Sequence, residues 1–543
     1  MGPDRLYVNA DVITMEPDSM TTQAFLVTQG RFGYVGSEEL VRSYAPPDVD
    51  VVDLGGKTVV PGFIETHNHL SYYALTLVMA DCTPRVNSRI RDIQEKIREM
   101  AGAAGPGQWV LGWGYDDTQI EEMRHLHRRD LDQAAPDNPV LIYHASGHLS
   151  YASTMALKLG NVTRDTPQPE GGTIHKDEGG EPTGLLMEPA AQHLVADRLP
   201  RPDVSLFMAL LPEAILHYNR VGVTSTHDAA IGIHGQGMGT VRAYRELEKE
   251  KRLNIRVYLT TLYQRYDQLI DLGLGLGFGS EFLKIGAVKM FQDGSIQALT
   301  AALSQDYFNR PGFCGELIMP QAAMDKLVEK YHKEDLQIAV HANGDAAIES
   351  VILAMEKAQA KHPQPDLRHM IIHCQTAGTD QLRRMKKLGI IPSFFPGHVY
   401  YWGDRHESLF LGPERAARID PLGSAVQEGL RFTLHADTPV TPISPLFSMH
   451  CAVNRITRNG RLLGPSERIS PYEALKAFTT DAAYCSYEED LKGSIRRGKL
   501  ADFVVLSDNP LTCEPQKIRE IRVLRTVIGG AEVHAAEKQA VHS

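Results

Sequence analysis

The sequence predicts an α/β chain: a (β/α)8, TIM-like barrel carrying a small composite β-sandwich built from both ends of the chain. Three observations predict it. Short apolar strands alternate with helical stretches through the middle of the chain. Short β-like runs broken by turn residues occupy both ends. One apolar strand early in the middle region ends in two histidines, and the carboxyl ends of barrel strands are where functional side chains collect.

The elements follow in order. Residues 1–57 hold β-like runs at 6–8, 12–14 and 24–28, then Gly30, Gly33 and Gly36, a pattern that suits a small antiparallel sheet. The same character returns in 491–543, at 501–506 and 522–527 before Gly529 and Gly530, so both ends are expected to share one β-domain. Between them, 58–490 reads as the barrel, with strands expected at 58–64, 140–144, 222–227, 283–291, 337–341, 369–373, 389–394 and 431–435. Helical patterns intervene at 89–100, 206–219, 324–333, 346–360 and 416–428. Two insertions are expected, at about 70–138 and 165–190, the second rich in turns.

With 43% hydrophobic and 23% charged residues, the chain reads as an ordinary globular protein. A net charge of -11 disfavours a general binder of nucleic acid or of anionic membranes. The six cysteines form no C-x-x-C pair, which argues against a sulfur-ligated zinc ribbon and fits a reducing compartment better than a disulfide scaffold. The N-terminus has no apolar signal core and no segment reaches transmembrane length, so the expectation is a cytoplasmic protein.

The chemistry begins at Val59-Val60-Pro61-Gly62-Phe63-Ile64-Glu65-Thr66-His67-Asn68-His69. Positions i and i+2 of a strand face one side, so His67 and His69 can converge on one point, and imidazole is the commonest protein ligand for zinc-like ions. The pair alone is a weak signal. Twenty-two histidines in 543 residues give roughly one His-x-His by chance, and His125-Leu126-His127 is a second copy in a charged segment. The setting strengthens it. Read with the barrel rule, five strand ends present ligand-type residues: His67 and His69, then Lys289, His341, His373 and Asp437. Each has a plainer reading, as a hydrogen-bonded histidine, a lysine paired with Asp293, or a turn aspartate before Thr438-Pro439. His148, in Ser146-Gly147-His148, either caps a turn or donates to a substrate carbonyl. The aromatic run at 394–404 is either a packed loop or a lid over an apolar pocket.

The order His-x-His, Lys, His, His, Asp resembles the amidohydrolase superfamily of metal-dependent barrel hydrolases. The opening strand and Gly493-Ser494-Ile495-Arg496-Arg497-Gly498-Lys499-Leu500-Ala501-Asp502 carry the resemblance at the two ends. The segments around Lys289, His341 and His435-Ala436-Asp437-Thr438-Pro439-Val440 are similar to the branch of N-substituted formamide deformylase and the YtcJ-like proteins, as are Gly112-Trp113-Gly114-Tyr115-Asp116 and Ser146-Gly147-His148. The resemblance implies one or two divalent ions, zinc first among them, held by His67, His69, Lys289, His341, His373 and Asp437. It implies a CO2-derived carbamate on Lys289, which needs a neutral amine and hence burial. It implies Asp437 as the base for the attacking water. The expected reaction is hydrolysis of a C–N bond in an amide, N-acyl amine or N-formyl amine of a small-molecule substrate. A homodimer stays open as an assembly.

Two rivals stand beside this reading. A deaminase-type aminohydrolase commonly has a Glu three residues after the fifth-strand histidine, where this chain has Gly344. The other rival is a catalytically inactive regulatory or binding protein on the same fold.

Overall fold

A computed structural model describes residues 2–18, 20–233 and 237–536. The C-terminal tail from 537 on, assigned above to the small β-domain, lies outside the described residues.

Eight parallel strands form one nearly closed barrel sheet, in chain order: β1 (Phe63–Asn68), β2 (Val223–Ile231), β3 (Arg256–Leu262), β4 (Leu283–Phe291), β5 (Ile338–Ala342), β6 (Met370–His373), β7 (Ile391–Phe394) and β8 (Thr433–Leu434). Most are runs of buried residues, as expected of parallel strands covered on both faces. Between β8 and β1 the seam is closed by side chains: Thr66 Oγ1 lies 2.9 Å from Thr433 Oγ1 and donates to Leu434 O at 3.3 Å.

One expected barrel strand belongs elsewhere. Val140–His144 pairs in parallel with Val110–Tyr115 inside a separate six-stranded sheet, and Arg256–Leu262 takes the barrel position. The stretches read as two insertions, together with Val140–His144 and Leu149–Ala152, build that one sheet, which runs from Ala80 to Met187 between β1 and β2. The strand expected over 58–64 is also two strands. Thr58–Pro61 pairs with Phe503–Leu506 from the far end of the chain, and β1 starts after Gly62. A Cβ at Gly62 would stand 2.2 Å from Thr224 Oγ1, so only glycine lets the chain cross β2 here.

The two ends of the chain form two sheets, one ordered Arg31–Gly36, Ala24–Thr28, Arg5–Val8, Asp50–Asp53 and one of six strands that includes Thr58–Pro61, Phe503–Leu506 and Val523–Ile528. Both are mixed rather than antiparallel, since Arg5–Val8 runs parallel to Asp50–Asp53 and Asp11–Ile13 parallel to Thr58–Pro61. Tyr7, Phe25, Phe32, Val59 and Phe503 pack between them as one core. A buried ion pair, Arg256 Nε to Asp502 Oδ2 at 2.6 Å, ties this β-domain to β3. The helix expected over 416–428 is broken into Gly412–Ala416 and Leu422–Gln427. Pro421 disfavours helical geometry at the residue before it, and Asp420 sits at φ 46°. Among the described residues no helix is long and apolar enough to cross a membrane.

Candidate functional site

The ligand-type residues read from the strand ends meet at the carboxyl end of the barrel. His67 lies in β1 and His69 directly follows it, Lys289 lies in β4, His341 in β5, His373 ends β6, and Asp437 follows β8. His67 Nε2 is 3.4 Å and His69 Nε2 3.3 Å from Asp437 Oδ1, and His373 Nε2 is 3.9 Å from Asp437 Oδ2. His373 Nε2 is 3.0 Å from His341 Nδ1. Candidate ligand atoms of His67, His373 and Asp437 all lie within 4.8 Å of one another. Zinc bonds of about 2.0–2.2 Å at tetrahedral angles put neighbouring ligand atoms roughly 3.3–3.6 Å apart.

The second nitrogen of two of these rings fixes which nitrogen is free. His69 Nδ1 is 2.9 Å from Ala229 O, and a carbonyl only accepts, so Nδ1 carries the proton and Nε2 offers a lone pair toward Asp437. His341 Nε2 is 3.1 Å from Gly294 O, so its Nδ1 offers a lone pair toward His373. Burial first, then neighbouring histidines, and for His67 and His341 also Lys289, push the pKa values of His67, His341 and His373 well below the usual imidazole range. These rings are neutral, as metal ligands must be. Burial alone would raise Asp437, but His69, His435 and Lys289 turn the balance and hold its carboxyl below the usual value. His373 and Asp437 both adopt left-handed backbone, at φ 72° and 54°, strain of the kind that collects at functional sites.

Lys289 is completely buried, its Nζ has no hydrogen-bond partner, and it lies 4.8 Å from the centre of the Phe291 ring. Burial brings its pKa down to about 7. The expected alternative, an ion pair with Asp293, is not what Asp293 does. Its carboxyl accepts backbone N–H groups from Ala302, Asn343 and Gly344 at 3.0, 2.9 and 2.8 Å.

His148 is contributed by the inserted sheet rather than by a barrel strand. Its ring sits 5.0 Å from that of His341 and lines the same cavity as His67, His69, His373 and Asp437. It does not cap a turn with its side chain: Nδ1 is 2.8 Å from Glu188 Oε2. Burial would lower its pKa, but Glu188 outweighs burial and raises it. The run at 394–404 is mostly the helix Gly397–Arg405, not a loop. Phe395 and His398 from this segment line the cavity, with Trp113, Phe291 and Val440.

Three residues at this site were not singled out from the sequence. Glu188 opens a helix in a turn-rich stretch that carries no ligand pattern. Glu65 lies beneath the site and accepts from Ala436 N at 3.2 Å. His435, completely buried, stacks on Phe395 and leaves both ring nitrogens without a hydrogen bond.

A second group, Asp116, Asp117 and His144, also brings ligand-type atoms together. The same proton accounting separates it from the first. The Ser146 backbone N–H donates to His144 Nδ1 at 3.0 Å, so Nε2 keeps the proton, 3.3 Å from Asp117 Oδ1. With Nδ1 already accepting and Nε2 protonated, that ring has no lone pair to spare for an ion. His125, from the second His-x-His, also faces Asp117, and His127 caps the helix Arg128–Ala134.

The amidohydrolase family model matches residues 50–534. The chain belongs to the amidohydrolase family. It is an enzyme, a metal-dependent hydrolase of the class that acts on carbon–nitrogen bonds other than peptide bonds. It is 32% identical over 537 residues to N-substituted formamide deformylase of Arthrobacter pascens, covering 97% of each chain. It is 29% identical to putative amidohydrolase YtcJ of Bacillus subtilis (strain 168), covering 96% of this chain and 98% of that one. Among solved structures, an uncharacterized metal-dependent hydrolase from Pyrococcus furiosus superposes with a TM-score of 0.74 at 27% identity, covering 94% of this chain and 100% of that one.

Proposed function

We propose that this amidohydrolase cleaves the C–N bond of an N-acyl or N-formyl amine, with water as the attacking group and Asp437 as its base. The observation that carries the reading is the lone pair of His69 aimed at an unsatisfied oxygen of Asp437 beside His67 and His373. The likeness to N-substituted formamide deformylase supports the substrate class.

The donor set fits a divalent ion. Neutral imidazoles, a carboxylate oxygen with no hydrogen bond and a buried amine with no partner converge in one place. His67, His69, His341, His373 and Asp437 would hold one or two ions, with zinc the first expectation for this mixture of nitrogen and oxygen. Lys289 would join them as a carbamate: its neutral amine adds to CO2, one proton leaves, and an anionic oxygen ligand results. When bound, the ion lowers the pKa of a water and polarises the substrate carbonyl.

The chain's own residues do the rest. Asp437, ionised through the neutral range, takes the proton of the water as its oxygen bonds to the carbonyl carbon, then gives that proton to the nitrogen as the C–N bond breaks. His148 holds the carbonyl oxygen by a hydrogen bond. Phe291, Phe395 and Trp113 enclose the apolar part of the substrate.

Ring deamination fits poorly. A Cβ at Gly344 would stand 1.8 Å from Ala302 O, so no acid can be placed at that position without moving the backbone. The test is metal analysis followed by a panel of formamides and acetamides of primary amines, assayed before and after chelation. Hydrolysis that depends on bound metal supports the proposal; full activity in metal-free protein overturns it.

A further inference from the structure

Glu188 reaches the active-site wall in a conformation that needs a reason. It is not glycine, yet its backbone sits at φ 63°, in the left-handed region. Its carboxyl group is buried, and Oε1 has no hydrogen-bond partner. Such a combination is costly in both backbone strain and desolvation, and it persists only where surrounding contacts enforce it.

The contacts that enforce it all lead to His148. The Glu188 backbone N–H donates to His148 O at 2.7 Å, and His148 Nδ1 is 2.8 Å from Glu188 Oε2. The two residues are therefore clamped through both backbone and side chain. Space for the carboxylate comes from Gly294, where a Cβ would stand 2.4 Å from Glu188 Oε1. The same Gly294 accepts from His341 Nε2 through its carbonyl, so the clamp abuts the residues that orient His341.

From this geometry we infer that Glu188 is a positioning residue that fixes the ring of His148 with Nδ1 turned away from the cavity and Nε2 turned toward the substrate carbonyl. The inference rests on the hydrolase reading above for the role of His148, but not for the orientation itself. A carboxylate has no proton to give, so it accepts only from a ring that carries hydrogen on Nδ1, and for Nε2 to donate to a carbonyl as well the ring must be the imidazolium, with hydrogen on both nitrogens. An amide in its place has both an N–H2 and a C=O, and can satisfy either ring nitrogen in either state. Glu188→Gln therefore keeps the shape and removes the instruction. Glu188→Asp keeps the instruction but falls one methylene short.

The experiment pairs kinetics with a direct view of the ring. In protein labelled with 15N at histidine, the His148 signals, assigned by loss in His148→Gln, should show a protonated Nδ1 in the resting parent. They should shift in Glu188→Gln. With an N-formyl amine substrate, Glu188→Gln should lower kcat by roughly tenfold to a hundredfold, as expected when an orienting partner of a working histidine is lost. KM should stay within about threefold, because this contact matters most as charge develops on the carbonyl oxygen. Glu188→Asp should recover part of kcat, and bound metal should equal that of the parent in both variants. An unprotonated Nδ1 in the parent, or unchanged kcat in a folded, metal-loaded Glu188→Gln, overturns the inference. The spectrum needs no substrate, so a wrong choice of substrate class fails in the kinetics of the parent and leaves this test standing.

Discussion

His69 Nε2 and Asp437 Oδ1 face each other across 3.3 Å, and the proton of His69 is committed to Ala229 O on the ring's other side. Two lone pairs so close repel unless a positive charge lies between them. In the proposed function a divalent ion would supply it, and the same ion would make both atoms ligands. His69→Ala should therefore strip bound metal and activity together, measured by elemental analysis and turnover on one sample. A metal-loaded, active His69→Ala protein would remove this residue from the ligand set.

Asp437→Asn keeps the shape but loses the basic oxygen. Turnover should fall by roughly 10²–10⁴, the usual worth of a general base, with a smaller change in KM. In the parent, the carboxyl held below its usual range and the neutral rings of His67, His341 and His373 put the activity loss that comes from these four groups on the acid side. A pH–rate profile together with metal occupancy checks both statements.

Lys289 is the group whose state is easiest to shift. Its pKa near 7 leaves a large neutral fraction at physiological pH, the form that adds CO2. Lys289→Ala should retain metal at least roughly tenfold less well, and bicarbonate or a short carboxylate should restore part of the activity. A structure with plain ammonium at Lys289 beside bound metal would end the carbamate assignment.

His227 provides a stability test away from the metal. It is completely buried on β2, against Tyr258, and neither ring nitrogen has a hydrogen bond. Burial brings its pKa to about 3. Between about 6.5 and 3 the unfolded chain binds a proton that the folded one refuses, so stability is complete above 6.5 and declines as pH falls. One such group contributes a slope of roughly 1.4 kcal/mol per pH unit. His227→Phe should flatten the fall in urea midpoint between pH 7 and pH 5. Equal slopes in parent and variant would show that His227 is protonated in the fold.

Gly344 tests packing at the fifth strand. Its φ is ordinary, so the obstacle to a side chain is Ala302 O alone. Gly344→Ala should cost about 1–3 kcal/mol as the backbone gives way, read from chemical denaturation. A neutral result would mean that the loop around Ala302 yields easily, and the steric argument against an acid at this position would fail with it.

Most of the barrel was legible because its strands are apolar runs that end in ligand-type residues: Ile338-Ala339-Val340-His341 and Met370-Ile371-Ile372-His373 announce both strand and site. Val140–His144 was misplaced for the same reason. It is a fully buried parallel strand ending in histidine, and periodicity does not say which sheet buries a strand. Arg256–Leu262 ends in Thr260, Thr261 and Leu262 and so lacked the chemical flag. The break at Gly62 is invisible in an unbroken β-type run, because what forces it is Thr224 on another strand. Glu188 was beyond reach for a related reason: its meaning lies in a pairing with His148, forty positions earlier, that nothing local records.

The crossing at Gly62 also sets an order of events. The strand before it pairs with Asp11–Ile13 on one side and with Phe503–Leu506, from the far end of the chain, on the other; the strand after it, which leads to His67 and His69, takes β2 on one side and meets β8 through Thr66 on the other. During synthesis both histidines leave the ribosome long before Lys289, His341, His373 or Asp437 exist. Contacts so distant along the chain are slow to form and are made late. On the proposed ligand set an ion would have no complete berth on a fragment that ends before β8, so loading would belong to the finished protein.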